Sequence, residues 1–142
     1  MIRATGAERG SVTVWILGLC IAVLFLGGLS VDLWRAFTDR RILAGMADGA
    51  VVAGASAIDT DEWRANGVVQ LDRTQAGQRA GAYLASHPEW NASISPTITP
   101  AAVNITVTLQ QNVEFTLLRV LLPGEQPFTV SVTANAIPAL SP

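Results

Sequence analysis

Few side chains in this sequence could do chemistry, and they are scattered. There is one histidine, His87, and one cysteine, Cys20. A nucleophilic site needs a base beside the nucleophile and a third group to orient the base, and no Ser or Cys motif accompanies His87. A zinc site needs several thiolate or imidazole ligands, more than one Cys and one His supply. A single Cys also excludes a disulfide within the domain, and Cys20, set in an apolar run, reads as a small apolar filler. The acids Asp59, Asp61, Glu62, Asp72, Glu89, Glu114 and Glu125 could serve as acid and base only by converging in space. Their neighbours are loop-like, so solvation is the simpler reading. Asp59-Thr60-Asp61-Glu62 lacks the spacing and turn glycine of a calcium loop and reads as an acidic loop that ends a helix. Gly27-Gly28 lies in the apolar run and Gly77 to Gly81 inside a helical pattern, so no phosphate-cradling loop is present. The expectation is no enzyme, no metal and no cofactor.

Charge narrows the partners. Nine basic residues against eleven acids leave a net charge of −2. No basic stripe of the kind phosphate binding requires runs through either half, which argues against nucleic acid.

The elements that would position these residues begin with a membrane segment. Ser11 to Val31 is a run of 21 residues without a charge. As a helix it rises about 31 Å, close to the hydrocarbon thickness of a bilayer. The run exceeds a signal-peptide core, lacks a good cleavage site, and continues into further helical pattern, so retention as an anchor is expected. Flanking arginines are nearly balanced and leave the orientation open. Asp32 to Ala57 has no Pro, is rich in Ala, and stacks Leu33, Phe37, Arg40 and Ala44 at helical spacing. Gly45, Gly49, Ala53 and Ala57 recur every four residues, a small-residue stripe that suits close helix packing; the alternative is that this face lies on the chain's own domain.

Beyond Ala57, Val68 to Leu71 reads as a short strand. Asp72 has the features of an N-cap, with Gln75 in capping-box position, for a helix from Arg73 to about Ser86 that stops before Pro88. Its buried face would be Ala76, Ala80, Tyr83 and Leu84, with His87 at its C-terminus as a cap that complements the dipole. Val103, Ile105, Val107 and Leu109 alternate with polar residues, as do Phe128, Val130, Val132 and Ala134, which predicts two half-buried strands. Phe115 to Leu122 reads as a short helix packed across them. Two strands are marginal alone, so a third, Ser93 to Thr99 or Val68 to Leu71, is expected to join. The fold class is α+β: a long N-terminal transmembrane helix extended beyond the membrane, then a small domain with one further helix and a short antiparallel sheet. The divisions are residues 1–10 as a cytoplasmic N-terminus, 11–31 as the span, 32–57 as the helix extension, and 58–142 as the extracytoplasmic domain.

A family pattern then emerges. The lead Glu8-Arg9-Gly10-Ser11 precedes the apolar span, Val31-Asp32 follows it, and Ala47-Asp48-Gly49-Ala50-Val51-Val52-Ala53-Gly54-Ala55 lies some way beyond. With Leu71-Asp72 before a helix and a terminal V-x-V-x-A-x-A strand ending at Ala136, this order resembles the TadE/TadG-like pilus-assembly proteins of the bacterial Tad (Flp-type) system. The resemblance implies a pilin-like topology: a single pass through the cytoplasmic membrane, the N-terminus inside and the C-terminal domain outside. It also implies a structural or assembly role as a minor pilin-like subunit. The implied partners are the membrane, other pilus-assembly or pilin-like proteins, and further copies through the N-terminal helix. It places a prepilin-type cut between Gly10 and Ser11. Here the chain departs from the pattern, because the fifth residue after such a cut is Trp15 and the pattern has a Glu. That departure speaks against cutting and against templated insertion into a filament. The rival reading is a membrane-tethered extracytoplasmic module that binds cell-envelope material.

Overall fold

The computed structural model describes residues 9–113 and 128–139, with side chains in the first helix from Val12 onward. Helix α1 spans Arg9–Ala55, α2 Thr60–Asn66 and α3 Arg73–Ser86; strands β1 Ile94–Pro100, β2 Ile105–Val113 and β3 Phe128–Ala136 follow. The architecture is α+β, with a long apolar N-terminal helix, two further helices and one antiparallel sheet in the order β1-β2-β3. The chain forms two compact units, and α1 crosses the boundary between Arg35 and Ala36.

In the first unit, α1 is largely apolar and presents its large apolar side chains outward. In the second, the same helix acquires a buried face. Leu43, Met46, Ala47, Ala50 and Val51 are buried, as are Gly54 and Ala57. This spacing of three and four is that of one helical stripe. It faces a core completed by Ala76, Ala80 and Leu84 of α3 and by Ile105, Val107 and Leu109 of β2. Gly54 marks the tightest point. A Cβ there would fall on Ile105 Cδ1 and lie 3.0 Å from the Ala76 carbonyl oxygen.

The end of α1 is tied down by α3. Ala57 N–H donates to Gly54 O at 3.0 Å, tightening the last turn. The Arg79 guanidinium donates to Ser56 O at 3.0 Å and to Ser56 Oγ at 2.9 Å. A cation at a helix C-terminus complements the dipole and satisfies its free carbonyls. Arg79 also donates to Gln75 Oε1 at 3.3 Å.

Helix α3 starts at Asp72, whose Oδ1 accepts from Thr74 N–H and Gln75 N–H at 2.9 and 3.0 Å. The expected reciprocal bond from Gln75 is replaced. Asp72 N–H is already bound to Ala57 O, which leaves the Gln75 side chain for Arg79. Of the expected buried face, Ala76, Ala80 and Leu84 are buried and Tyr83 is half-buried. His87 is the C-cap, its N–H donating to Leu84 O. Its ring takes a different partner from the one the dipole suggested, because Nδ1 accepts from Glu89 N–H at 3.3 Å.

The acidic tetrad is not a loop. Asp59 caps α2, accepting from Asp61 N–H and Glu62 N–H at 3.1 Å each, and Gly67 ends the helix with φ of +70°. Acids in a first turn favour a helix start through the macrodipole, and that pattern was open to reading. Val68 to Leu71 supplies a single bridge, Ile58 to Leu71, and no strand of the sheet. The third strand is β1, whose Pro96 and Pro100 are tolerated on an edge. Val103 is exposed in the turn between β1 and β2, where Ala101 N–H donates to Asn104 O at 2.8 Å; β2 therefore begins at Ile105. The helix expected at Phe115 to Leu122 lies outside the described residues.

The sheet has a dry and a wet face. Ile105, Val107, Leu109, Val130 and Ala134 are buried on one side. On the other, Thr106 faces Asn135, Thr108 faces Thr133, and Asn112 faces Thr129. These pairs are hydrogen-bonded across the strands at 2.9 to 3.0 Å. Phe128, placed by its period on the dry side, is exposed.

Two predictions follow from this packing. Gly54→Val should destabilise the domain by about 2 kcal/mol through overpacking, whereas Gly45→Ala, into open space, should stabilise it by roughly 0.5–1 kcal/mol. Asp59→Ala and Asp72→Ala should each cost about 1 kcal/mol through loss of a cap. Hydrogen exchange of the β2 amides in detergent micelles measures all four.

Candidate functional site

Among the described residues, those singled out for chemistry do not assemble. Among the described residues no group of three or more His, Cys, Asp or Glu side chains could hold a metal ion. Asp59, Asp61 and Glu62 serve α2, and Asp72 caps α3. Glu114 and Glu125 lie outside the described residues.

What stands out is the surface of α1. From Val12 to Phe37 its large apolar side chains are exposed, and the most apolar window of the helix has no buried residue. One helix, Val12–Ala55, is thus long and apolar enough to cross a membrane. Exposing such a run to water would forgo about 25 cal/mol for each Å² of apolar surface, so an apolar environment suits it far better. Polar groups within the run are accommodated locally. Ser30 Oγ donates to Leu26 O at 2.8 Å, satisfied within the helix. Cys20 is exposed on the helix surface, among apolar neighbours. Asp32 is the exception to the outward display, being buried at 5% exposure. Sequence reasoning, which placed Asp32 just after the uncharged run, missed that burial, and nothing in its local pattern could have revealed it.

The other positions of interest are placed as follows. Gly10 and Ser11 lie in the first turn of α1, and Trp15 is among its most exposed side chains. Of the four-residue stripe, Gly45 is exposed with open space beside it, whereas Gly49 is covered by Tyr83, whose ring occupies the place of a Cβ. Ala53 is half-buried and Ala57 is in the core. The Ala47 to Ala55 segment that carries the family pattern therefore lines the domain's interior with Ala47, Ala50 and Gly54. Its small side chains are required by the close approach of α3 and β2.

Comparison with known proteins supplies the context. Residues 10–57 match the model of a family, Tad, described as "Putative Flp pilus-assembly TadE/G-like". No curated protein and no solved structure matches the chain. The matched residues coincide with α1 and the turn that closes it, so the likeness to the TadE/G-like Flp pilus-assembly family is carried by the segment Gly10 to Ala57.

Proposed function

We propose that the protein is a structural or assembly subunit, minor pilin-like, of a Tad-type pilus or secretion apparatus. One span of α1 holds it in the bacterial cytoplasmic membrane, with the N-terminus inside and the C-terminal domain outside. It works by contact and not by catalysis: helix against helix in the membrane, and domain against neighbouring domains outside. The observation that carries this reading is the coincidence of the family match with a helix whose N-terminal surface is apolar and exposed. Neighbouring helices are those of other pilin-like proteins or of further copies. Gly45 and Ala53 are the stripe positions left at least partly open to such a helix, while Gly49 and Ala57 are engaged by the chain's own domain.

Processing is the finer question. A cut after Gly10 would leave Ser11 as the first residue and Trp15 as the fifth. An acid at that position is kept in a membrane where it pairs with a neighbour, and an indole cannot make that pair. The protein on this reading stays uncut in the membrane.

A second reading is favoured by one observation. The wet face of the sheet combines Thr97 and Thr99 of β1 with Thr106 and Thr108 of β2 and Thr133 and Asn135 of β3, a neighbouring array of hydroxyls and amides. Such groups could hydrogen-bond envelope polymer, making the domain a tethered binding module.

Deleting the gene should abolish surface pili, scored by electron microscopy; normal piliation would count against the first reading. Sequencing the N-terminus of the membrane-extracted protein should find the residues before Gly10 still attached, and a start at Ser11 would overturn the uncut form. Leu24→Arg, a charge in the span, should raise the apparent insertion free energy by about 3 kcal/mol, read as loss from the carbonate-resistant membrane fraction. Co-sedimentation of the detergent-solubilised chain with purified cell wall, abolished by Thr108→Val with Thr133→Val, would support the binding module over the pilus subunit.

A further inference from the structure

The two exposed tryptophans of α1 carry an inference about where the helix sits, which rests on the membrane-anchor reading above. We propose that Trp15 and Trp34 lie at the two bilayer interfaces and set the depth of the span, with the midplane near Leu24 and Phe25. The indole has a large apolar body and an N–H that seeks a partner, so it prefers the headgroup level to either hydrocarbon or water. Trp15 and Trp34 are 78% and 73% exposed on the helix surface. They are nineteen residues apart, and an α-helix covers that interval in about 28 Å. The hydrocarbon layer is about 30 Å thick.

The residues between and around them fit the same placement. From Ile16 to Leu33 the large side chains are apolar and exposed. Arg35 follows Trp34 directly, and Thr13, Ser11 and Arg9 precede Trp15. Asp32 lies about 3 Å along the axis inside Trp34, close to the interface, and its burial keeps the carboxyl from facing lipid. The uncharged run Ser11 to Val31, taken by itself, centres on Ile21, about 5 Å away along the axis. That register would sink the Trp15 N–H roughly 6 Å into hydrocarbon and lift Trp34 about 4 Å into water, and both displacements are unfavourable. Trp15 thereby acquires a role of its own at a position where the prepilin pattern has an acid.

The test uses the full chain in phosphatidylcholine vesicles whose acyl chains are brominated near the carbonyl end or near the methyl end. Comparing the unaltered protein with Trp15→Phe and with Trp34→Phe isolates the fluorescence of each indole. Carbonyl-end bromines should quench each one at least about twofold more strongly than methyl-end bromines. Cys20, without any substitution, reports separately on the membrane reading, since a water-soluble maleimide should leave it unmodified until detergent dissolves the vesicles. Labelling of Cys20 in intact vesicles would remove the membrane reading and the depth assignment together. Protection of Cys20, combined with an unquenched Trp34 or a Trp15 quenched best from the methyl end, would overturn the depth assignment alone.

Discussion

The structure of the second unit depends on how closely α1 can lie against its neighbours at Gly54. There the helix surface, the first turn of α3 and the Ile105 side chain of β2 meet with no room for a methyl group. Interiors pack to near-crystalline density, and a single added methylene at such a point is felt throughout. Around it the other contacts are arranged: Ala47 and Ala50 on the same stripe, Ala76 and Ala80 opposite, and the Arg79 guanidinium closing the carbonyl end of α1. Small residues here serve proximity, and the larger Leu43, Met46 and Leu84 fill the space on either side.

The same helix answers two environments along its length. Up to Trp34 its large side chains are apolar and turned outward; from Leu43 onward it is amphipathic, with one stripe in the core and the charged Asp48 on the other side. An outward-facing apolar helix is unstable in water and stable in lipid, whereas an amphipathic one is stable against a sheet. The change in patterning, and no break in the backbone, marks the passage from one role to the other. The family match spans this passage, from Gly10 to Ala57, and takes in the helix on both sides of it.

Much of this was legible in the residues. The uncharged run, the N-cap at Asp72, the Ala76-Ala80-Leu84 face and the alternation of Ile105, Val107 and Leu109 each follow a local period or a local cap, and each is where it was expected. The errors arose where two local rules competed or where a tertiary partner decided. Asp59 to Glu62 satisfied both a solvated loop and a helix start, and the cap geometry chose the latter. Val103 continued the alternating period but fell in the turn, because Ala101 and Asn104 pair across it. Gln75 had the right position for a capping box, yet Ala57 had already taken the donor it would have bound. The cover of Tyr83 over Gly49 comes from a residue distant in sequence, and periodicity holds no record of it. The tryptophans were legible in type and spacing, but their outward display needed the structure.

The wet side of the sheet has a property that follows from its composition. Ser95, Thr97 and Thr99, then Thr106, Thr108, Gln110 and Asn112, then Thr129, Ser131, Thr133 and Asn135 carry no group that gains or loses a proton in the biological range. Cross-strand bonds such as Thr108 to Thr133 are dipolar, so neither acidification nor a change of ionic strength alters their charge balance. A surface of this kind keeps its character when the surrounding medium does not.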